Sequence, residues 1–429
     1  MLSCQTLSAR LASGAYDGRL SKCYPRTLDA SKDRLQRVLE GFQRTFSADG
    51  AAPVALFSSP GRTEIGGNHT DHQHGRVLAA SVDLDVLACA APNGTSEIRV
   101  QSEGYPALTV DLNDLSPKQE EQNTSAALVR GVAAGIAARG FSLGGCDLYL
   151  SSCVPSGAGL SSSAAYEVLI GTVLNHFFCG GVLTPVELAQ IGQRAECDYF
   201  GKPCGLMDQS ACAVGGTVFI DFHTPDAPIV QKIDWDFGSS GHALCIVDTG
   251  SSHDDLTDEY AAVTREMGAI AAFFGQTVLR EVDEGIFRTR IPTLRTQVGD
   301  RAVLRAMHFF ADDHRAAQEA EALSAGDFHR FLQLVRASGL SSALRLQNVW
   351  PGGEPREQAV LLTLALAEDV LEGAGAVRVH GGGFAGTIQA FVPQEKLAVF
   401  TAAMEGLVGS GRCHTVAIRP EGGCVLIDQ

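Results

Sequence analysis

The chain has 429 residues, 45% of them hydrophobic and 19% charged, with a formal net charge of −16. That is a folded globular composition with length for two domains, and acidity without any basic run excludes a nucleic-acid or anionic-membrane surface from the expected partners. The 12 cysteines are scattered with no C-x-x-C pair, and Cys89, Cys153, Cys245 and Cys424 lie in apolar runs, so a reducing cytoplasm is expected and not a disulfide framework.

No apolar stretch is long enough to span a bilayer, and no secretory leader is expected at the N-terminus. Residues 1–50 read as mainly helical, with Leu35, Val38, Leu39 and Phe42 at helical spacing. From Pro53 to Arg99 short apolar runs follow, Val54–Phe57, Val77–Leu78, Val86–Cys89 and Ile98–Val100, separated by Gly, Asn and Asp clusters. Helices are expected over 122–139, 161–178 and Pro185–Phe200, with a strand at 146–152. Strands at Thr217–Phe222 and His242–Asp248 open the second half. Helices over 254–274, 301–324, 327–339 and 357–373 come next. A last α/β unit holds Val377–Val379, a glycine triplet, Thr387–Val392, a helix at 395–407 and strands near 413–428. With no internal repeat or low-complexity linker, two intimately packed lobes are expected.

The most informative stretch is Pro155-Ser-Gly-Ala-Gly-Leu-Ser-Ser-Ser-Ala-Ala165. It joins an apolar strand to an apolar-rich helix. A glycine-rich turn into a helix start presents unpaired N–H groups and the positive end of the helix dipole, which suits phosphate, and hydroxyls there can reach a magnesium ion. A dinucleotide fingerprint fails, because the third glycine of G-x-G-x-x-G is Ser162.

Residues 58–75, Ser58-Ser-Pro-Gly-Arg62-Thr-Glu-Ile-Gly-Gly-Asn68-His69-Thr70-Asp71-His72-Gln73-His74-Gly75, read as a polar segment between two strands. The crowding of an arginine, histidines and a carboxylate points to a ligand site, and a solvated turn is the plain alternative. The spacing of His69, His72 and His74 matches neither the helical i, i+4 pair nor a Cys/His finger, which argues against a transition metal. Glu196 lies near a helix end and Asp208 in a loop after Gly201-Lys-Pro-Cys-Gly205. Gly381-Gly-Gly-Phe-Ala-Gly386 is either a bare hairpin or a place where backbone approaches a ligand closely.

Together these segments resemble the sugar-kinase branch of the galactokinase, homoserine, mevalonate and phosphomevalonate kinase superfamily, galactokinase above all, from about Pro53 to Pro393. The first motif corresponds to Gly61–Asp71, the phosphate loop to 155–165, the Gly-(Ile/Leu)-Met-Asp-Gln segment to 205–209, and the C-terminal glycine motif to 381–386. Tyr260 and Arg305-Ala-Met-His308 are weaker similarities. The resemblance implies an α+β, two-lobe small-molecule kinase with a ribosomal-protein-like N-terminal lobe (1–225) and a ferredoxin-like C-terminal lobe (226–429). It also implies transfer of the ATP γ-phosphoryl group to the anomeric hydroxyl of galactose.

By position, Gly157, Ala158, Gly159, Leu160, Ser161, Ser162 and Ser163 would wrap the ATP phosphates, and Ser163 and Glu196 would hold Mg²⁺. Asp208 would face the sugar hydroxyl as base or orienting carboxylate beside Arg62. Asn68, His69, Thr70, Asp71, Gly205 and Tyr260 would form the sugar site. The expected protein is a cytoplasmic monomer or weak dimer. Asn68 stands where galactokinases carry Glu, and Asp71-His72-Gln73 resembles plant galacturonate kinases, so a galacturonate or other C6-modified galactose kinase is the alternative. A non-catalytic galactose sensor is disfavoured, because Ser161-Ser-Ser-Ala-Ala165 is complete and Asp208 is present.

Overall fold

The computed structural model describes residues 1–47, 50–155, 159–251, 256–352 and 355–429, with the Thr257 side chain excepted. In chain order the strands are β1 (Leu2–Ser3), β2 (Pro53–Gly66), β3 (Arg76–Pro92), β4 (Glu97–Ser102), β5 (Leu108–Asp111), β6 (Cys146–Ser152), β7 (Thr217–Asp221), β8 (Ile229–Ile233), β9 (His242–Asp248), β10 (Ala376–His380), β11 (Thr387–Pro393), β12 (Cys413–Val416) and β13 (Cys424–Ile427). The helices are α1 (Cys4–Ala12), α2 (Asp17–Cys23), α3 (Leu28–Phe46), α4 (Ser125–Ala137), α5 (Ser162–Phe178), α6 (Pro185–Arg194), α7 (Met207–Val214), α8 (Thr257–Phe273), α9 (Glu284–Gln297), α10 (Asp300–Ser324), α11 (Phe328–Ser341), α12 (Ala359–Leu371) and α13 (Leu397–Val408).

The larger sheet runs β1-β2-β3-β6-β4-β5, with β13 added to β2 and the β7–β8 pair added to β3. Its one parallel pairing among the described residues joins β4 to β6. One face packs on α4 to α7 through Val129, Val132, Val168, Leu169 and Val173. The other face is covered by the N-terminal helices, where Leu35, Val38, Leu39 and Phe42 are all buried, as their spacing requires, against Leu87, Cys89 and Tyr149.

The smaller sheet is antiparallel in the order β10-β11-β9-β12. Its strands enter the chain as a β-α-β-β-α-β series, with the helical block α8–α12 as the first crossover and α13 as the second, which is the ferredoxin-like arrangement. Strands β9 to β11 bury Cys245, Val247, Val379, Ile388 and Ala390 against Phe400 and Met404 of α13.

Two expectations need correction. Residues 58–66 are not part of a polar loop: β2 continues to Gly66, and every residue from Val54 onward in it is buried. The sheet is sandwiched here, so its polar groups pair with one another instead of with water. Residues 185–200 are not one uniform helix. Thr184 and Glu187 form a capping box at the start of α6, but the helix widens into a π segment at Ala195–Phe200. A second π segment, Ser342–Leu346, follows α11. Such widened turns concentrate at functional sites.

Glu319 of α10 is fully buried, and neither carboxylate oxygen has a hydrogen-bond partner. It lies against Gly66, where an added methyl would overlap its carboxyl group. Burial and neighbouring Asp312 push its pKa well above the usual carboxylate range, despite Arg378 and Arg315. The folded state therefore keeps a proton that the unfolded chain releases near pH 4.3, so this group's contribution to stability falls as pH rises above that value. Glu319→Gln should be more favourable relative to wild type at pH 8 than at pH 5 in urea unfolding. A stability difference independent of pH would contradict this.

Candidate functional site

The end of the glycine-rich loop is fastened to β2. The backbone N–H of Arg62 donates to the Leu160 carbonyl at 3.0 Å, and its Nη1 donates to the Gly159 carbonyl. Gly157 and Ala158 lie outside the described residues. Ser161 caps α5 with a left-handed backbone, φ 53°, and no side-chain cap bond; a non-glycine residue in that region marks local strain. Its hydroxyl goes to Asp208 instead. Leu160 is buried under the turn, and Ser162 opens α5.

Asp208 occupies the first turn of α7, not a loop. Arg62 grips it in fork geometry, Nε to Oδ1 at 2.7 Å and Nη2 to Oδ2 at 2.7 Å. The arginine is buried, whereas the Asp208 side chain keeps 28% exposure. Burial alone would raise this carboxyl, but Arg62, the Ser161 hydroxyl and Lys202 outweigh it and hold Asp208 below its ordinary value.

Glu196 sits on the first π segment. Its Oε1 accepts from Ser163 Oγ at 3.1 Å and pairs with Lys202 Nζ at 3.3 Å. Gln209 Nε2 bridges Glu196 Oε2 (2.9 Å) and Glu167 Oε2 (3.0 Å). Burial, and then the charge of Glu196, push Glu167 well above the usual range, so Glu167 keeps its proton. Sequence reasoning missed Glu167, Lys202 and Gln209. The signal for Glu167 was a carboxylate one helical turn after Ser163, on an otherwise apolar helix.

The motif after β2 meets the C-terminal glycine run residue by residue. Asn68 Nδ2 donates to the Gly381 carbonyl (2.7 Å), His69 Nε2 to Gly382 (2.8 Å) and the Tyr260 hydroxyl to Gly383 (2.8 Å). The hairpin is therefore not bare: its glycines let backbone approach side chains closely. At Gly382 an added methyl would lie 2.5 Å from the Tyr260 ring. Burial lowers His69 to about 4, which keeps it neutral as the donor to Gly382.

Asn68 is fully buried and its amide is saturated. Besides Gly381 it donates to Glu64 Oε1 (3.0 Å), and its oxygen accepts from Ser342 (3.2 Å) and Asn348 (2.8 Å). Glu64 in turn pairs with buried Arg378 at 2.5 Å. His308 supports the same residue from below, with Nε2 2.9 Å from the Asn68 carbonyl. Thr70 is buried, its hydroxyl against the Gly67 and Arg76 carbonyls (2.8 and 2.6 Å), which pins the turn. Asp71 Oδ1 accepts from the His72 N–H at 2.9 Å. A methyl on Gly205 would overlap the Asp71 carboxylate, so glycine is required for that contact. His72 is half exposed, 3.9 Å from Asp71.

Comparison with known proteins bears on this assembly directly. Residues 127–216 match the N-terminal domain of GHMP kinases, and residues 40–92 match the galactokinase galactose-binding signature. A galactokinase of Streptomyces coelicolor is 32% identical over 361 residues, covering 83% of this chain and 89% of that protein. The solved galactokinase of Lactococcus lactis, complexed with galactose, superposes with a TM-score of 0.77 at 25% identity, over 91% of this chain and all of that one. The mevalonate kinase of Methanococcus jannaschii shares the fold alone, with a TM-score of 0.60 at 15% identity, over 85% of this chain and 98% of that one. Fold, motif order and identity over most of the chain agree, and with them the chain takes its place as a member of the galactokinase family.

Proposed function

We propose that this protein is an ATP-dependent galactose 1-kinase, and that the Arg62–Asp208 pair beside Ser161 is its reacting centre. The observation that carries this reading is the fork bond of 2.7 Å on each arm, at the junction of the phosphate loop and the sugar motif. The anomeric oxygen attacks the γ-phosphorus, the bond to the β–γ bridging oxygen breaks, and the hydroxyl proton passes toward Asp208. A carboxylate held below its ordinary pKa is a weak base. Its larger contribution is therefore to orient the hydroxyl, with the proton leaving late, as suits a loose phosphoryl-transfer transition state. Arg62, already charged, stabilises negative charge on the group in transit.

Gly159–Ser163, with Gly157 and Ala158, hold the phosphates, while His69, Asp71, Gly205 and Tyr260 shape the sugar pocket and Asn68 and Thr70 hold its turn. Ser163 and Glu196 form a hard-oxygen pair that already faces the Lys202 ammonium, a donor set that fits magnesium. When bound there, the ion neutralises phosphate charge. We place the lobe boundary near 225/226, with β8 and β13 returning to the first lobe's sheet, and expect a cytoplasmic monomer or weak dimer. No helix among the described residues is long and apolar enough to cross a membrane.

The altered-C6 reading rested on Asn68 being available to a C6 carboxylate and on the likeness of Asp71-His72-Gln73 to plant galacturonate kinases. With the Asn68 amide saturated by four protein groups, the first support is gone, and galactose is the preferred sugar. ADP release measured with galactose, galacturonate and 6-deoxygalactose tests this. Galactose should have the highest kcat/KM; no galactose-dependent release, or a preference for the uronate, would sink the proposal.

A further inference from the structure

His380 is the last residue of β10, a C-terminal-lobe strand, yet its buried ring (2% exposed) lies between the two halves of the site. On one side Nε2 receives the backbone N–H of Glu64 at 3.3 Å and lies 3.0 Å from Thr63 Oγ1. Gln389 Nε2 donates to that threonine oxygen at 2.6 Å, which leaves the threonine proton for His380. A backbone N–H can only donate, so Nε2 is the acceptor and Nδ1 carries the ring proton. Nδ1 then donates to Thr387 Oγ1 at 2.9 Å. On this second side the ring and Thr387 support the phosphate loop. A methyl on Gly159 would lie 2.9 Å from Nδ1 and 2.8 Å from Thr387 Oγ1, so the loop backbone rests directly on that pair.

Burial, and then the charges of Arg62 and Arg378, keep the ring neutral. Its hydrogen-bonding pattern is thus fixed across the working pH range. Thr63 and Glu64 follow Arg62 on β2, and Arg62 itself binds the Gly159 and Leu160 carbonyls. One imidazole therefore touches both the strand that aims Arg62 and the loop it binds.

We propose that His380 is a positioning residue, a strut that sets the height of the phosphate loop at Gly159 against the Arg62 strand. Its ring is buried, so it acts through the loop and the strand it touches. This rests on the reading that Gly159–Ser163 hold ATP. Its two faces act separately: the Nδ1–Thr387 face sets the loop, and the Nε2 face sets the strand. His380→Ala removes both. Thr387→Val removes only the loop-side acceptor. His380→Gln can restore an acceptor near the Nε2 position, and His380→Asn a donor near the Nδ1 position.

The test is steady-state kinetics of the full-length chain with galactose and Mg-ATP, at a temperature where circular dichroism shows each variant folded. His380→Ala should raise KM for ATP about tenfold and lower kcat about tenfold, since sub-ångström misplacement is costly in transfer reactions. Thr387→Val should raise KM for ATP with kcat within about threefold of wild type. His380→Gln should recover kcat and not KM for ATP, and His380→Asn the reverse. Loss of folded protein alone lowers apparent kcat and leaves KM unchanged, so an unmoved KM for ATP in His380→Ala overturns the proposal. So does equal behaviour of the Gln and Asn variants. A wild-type protein that does not phosphorylate galactose would overturn the functional reading and this inference with it, whereas an active wild type confines any failure to His380.

Discussion

Asp208→Asn should reduce kcat by about 10²–10⁴-fold, the range for general acid–base and orienting carboxylates, with a smaller change in KM for galactose. The substitution preserves shape and leaves an oxygen that Arg62 can still bind, but it removes the charge that orients the attacking hydroxyl. Turnover within about threefold of wild type, well below that range, would strip Asp208 of its role. The wild-type profile supplies a second check. Arg62 offsets the effect of burial and holds Asp208 below its ordinary value, so the carboxylate is ionised throughout the neutral range. No acid limb from Asp208 should appear in kcat until the pH falls below about 3.9. A limb from this residue near pH 6 would mean that it is not held by Arg62 in the working enzyme.

The largest stability effect is expected from Asp85→Asn in β3, opposite Pro60 of β2 and so two residues along that strand from Arg62. Asp85 is wholly buried, and its carboxylate collects four nitrogen and oxygen donors with the Cys153 thiol as a fifth at 3.7 Å. Arg34 Nη1 lies at 2.8 Å, Arg419 Nη1 at 3.2 Å, the Tyr24 hydroxyl at 2.5 Å, and Ser58 is on the same oxygen. Arg419 is fully buried too. Burial works to raise the Asp85 carboxyl, but the two guanidinium groups and the hydroxyls bring it below its usual value. Neutralising it strands a buried arginine without a counter-charge, which costs about 3–5 kcal/mol. Urea unfolding should show the loss, and a loss under about 1 kcal/mol would contradict it. The sign with pH follows. The folded-state pKa is depressed, so the contribution is complete above the unfolded value and disappears as pH falls through the folded one.

Much of this molecule was legible before its structure. The strand–loop–helix around 155–165 and the helical register of Leu35, Val38, Leu39 and Phe42 follow from periodicity and spacing, and the four motifs are legible through their resemblance to a known family. What escaped was long-range. The polarity of residues 58–66 reads as a segment between strands and not as strand; nothing local announces that helices cover both faces of their sheet. Helix α9 was not anticipated, since Pro292 lies inside it and proline argues against a helix interior. Asn68 was the instructive case. Its departure from the family's Glu is plain in the sequence, but its partners Ser342, Asn348 and Gly381 lie more than 270 positions away, and no spacing rule links them. The Glu64–Arg378 pair has the same origin.

Strand β2, which aims Arg62, is bordered on one side by β3 and on the other by β1 and β13: Leu2 pairs with Val54 and Cys424 with Ser58. The first and last strands of the chain thus share the work of sealing one exposed ladder. Clipping either end would unmask amide and carbonyl groups along the strand that bears the reactive arginine. Truncated forms should then self-associate edge to edge, so for this protein trimming is a route to precipitation before it is a route to lost catalysis.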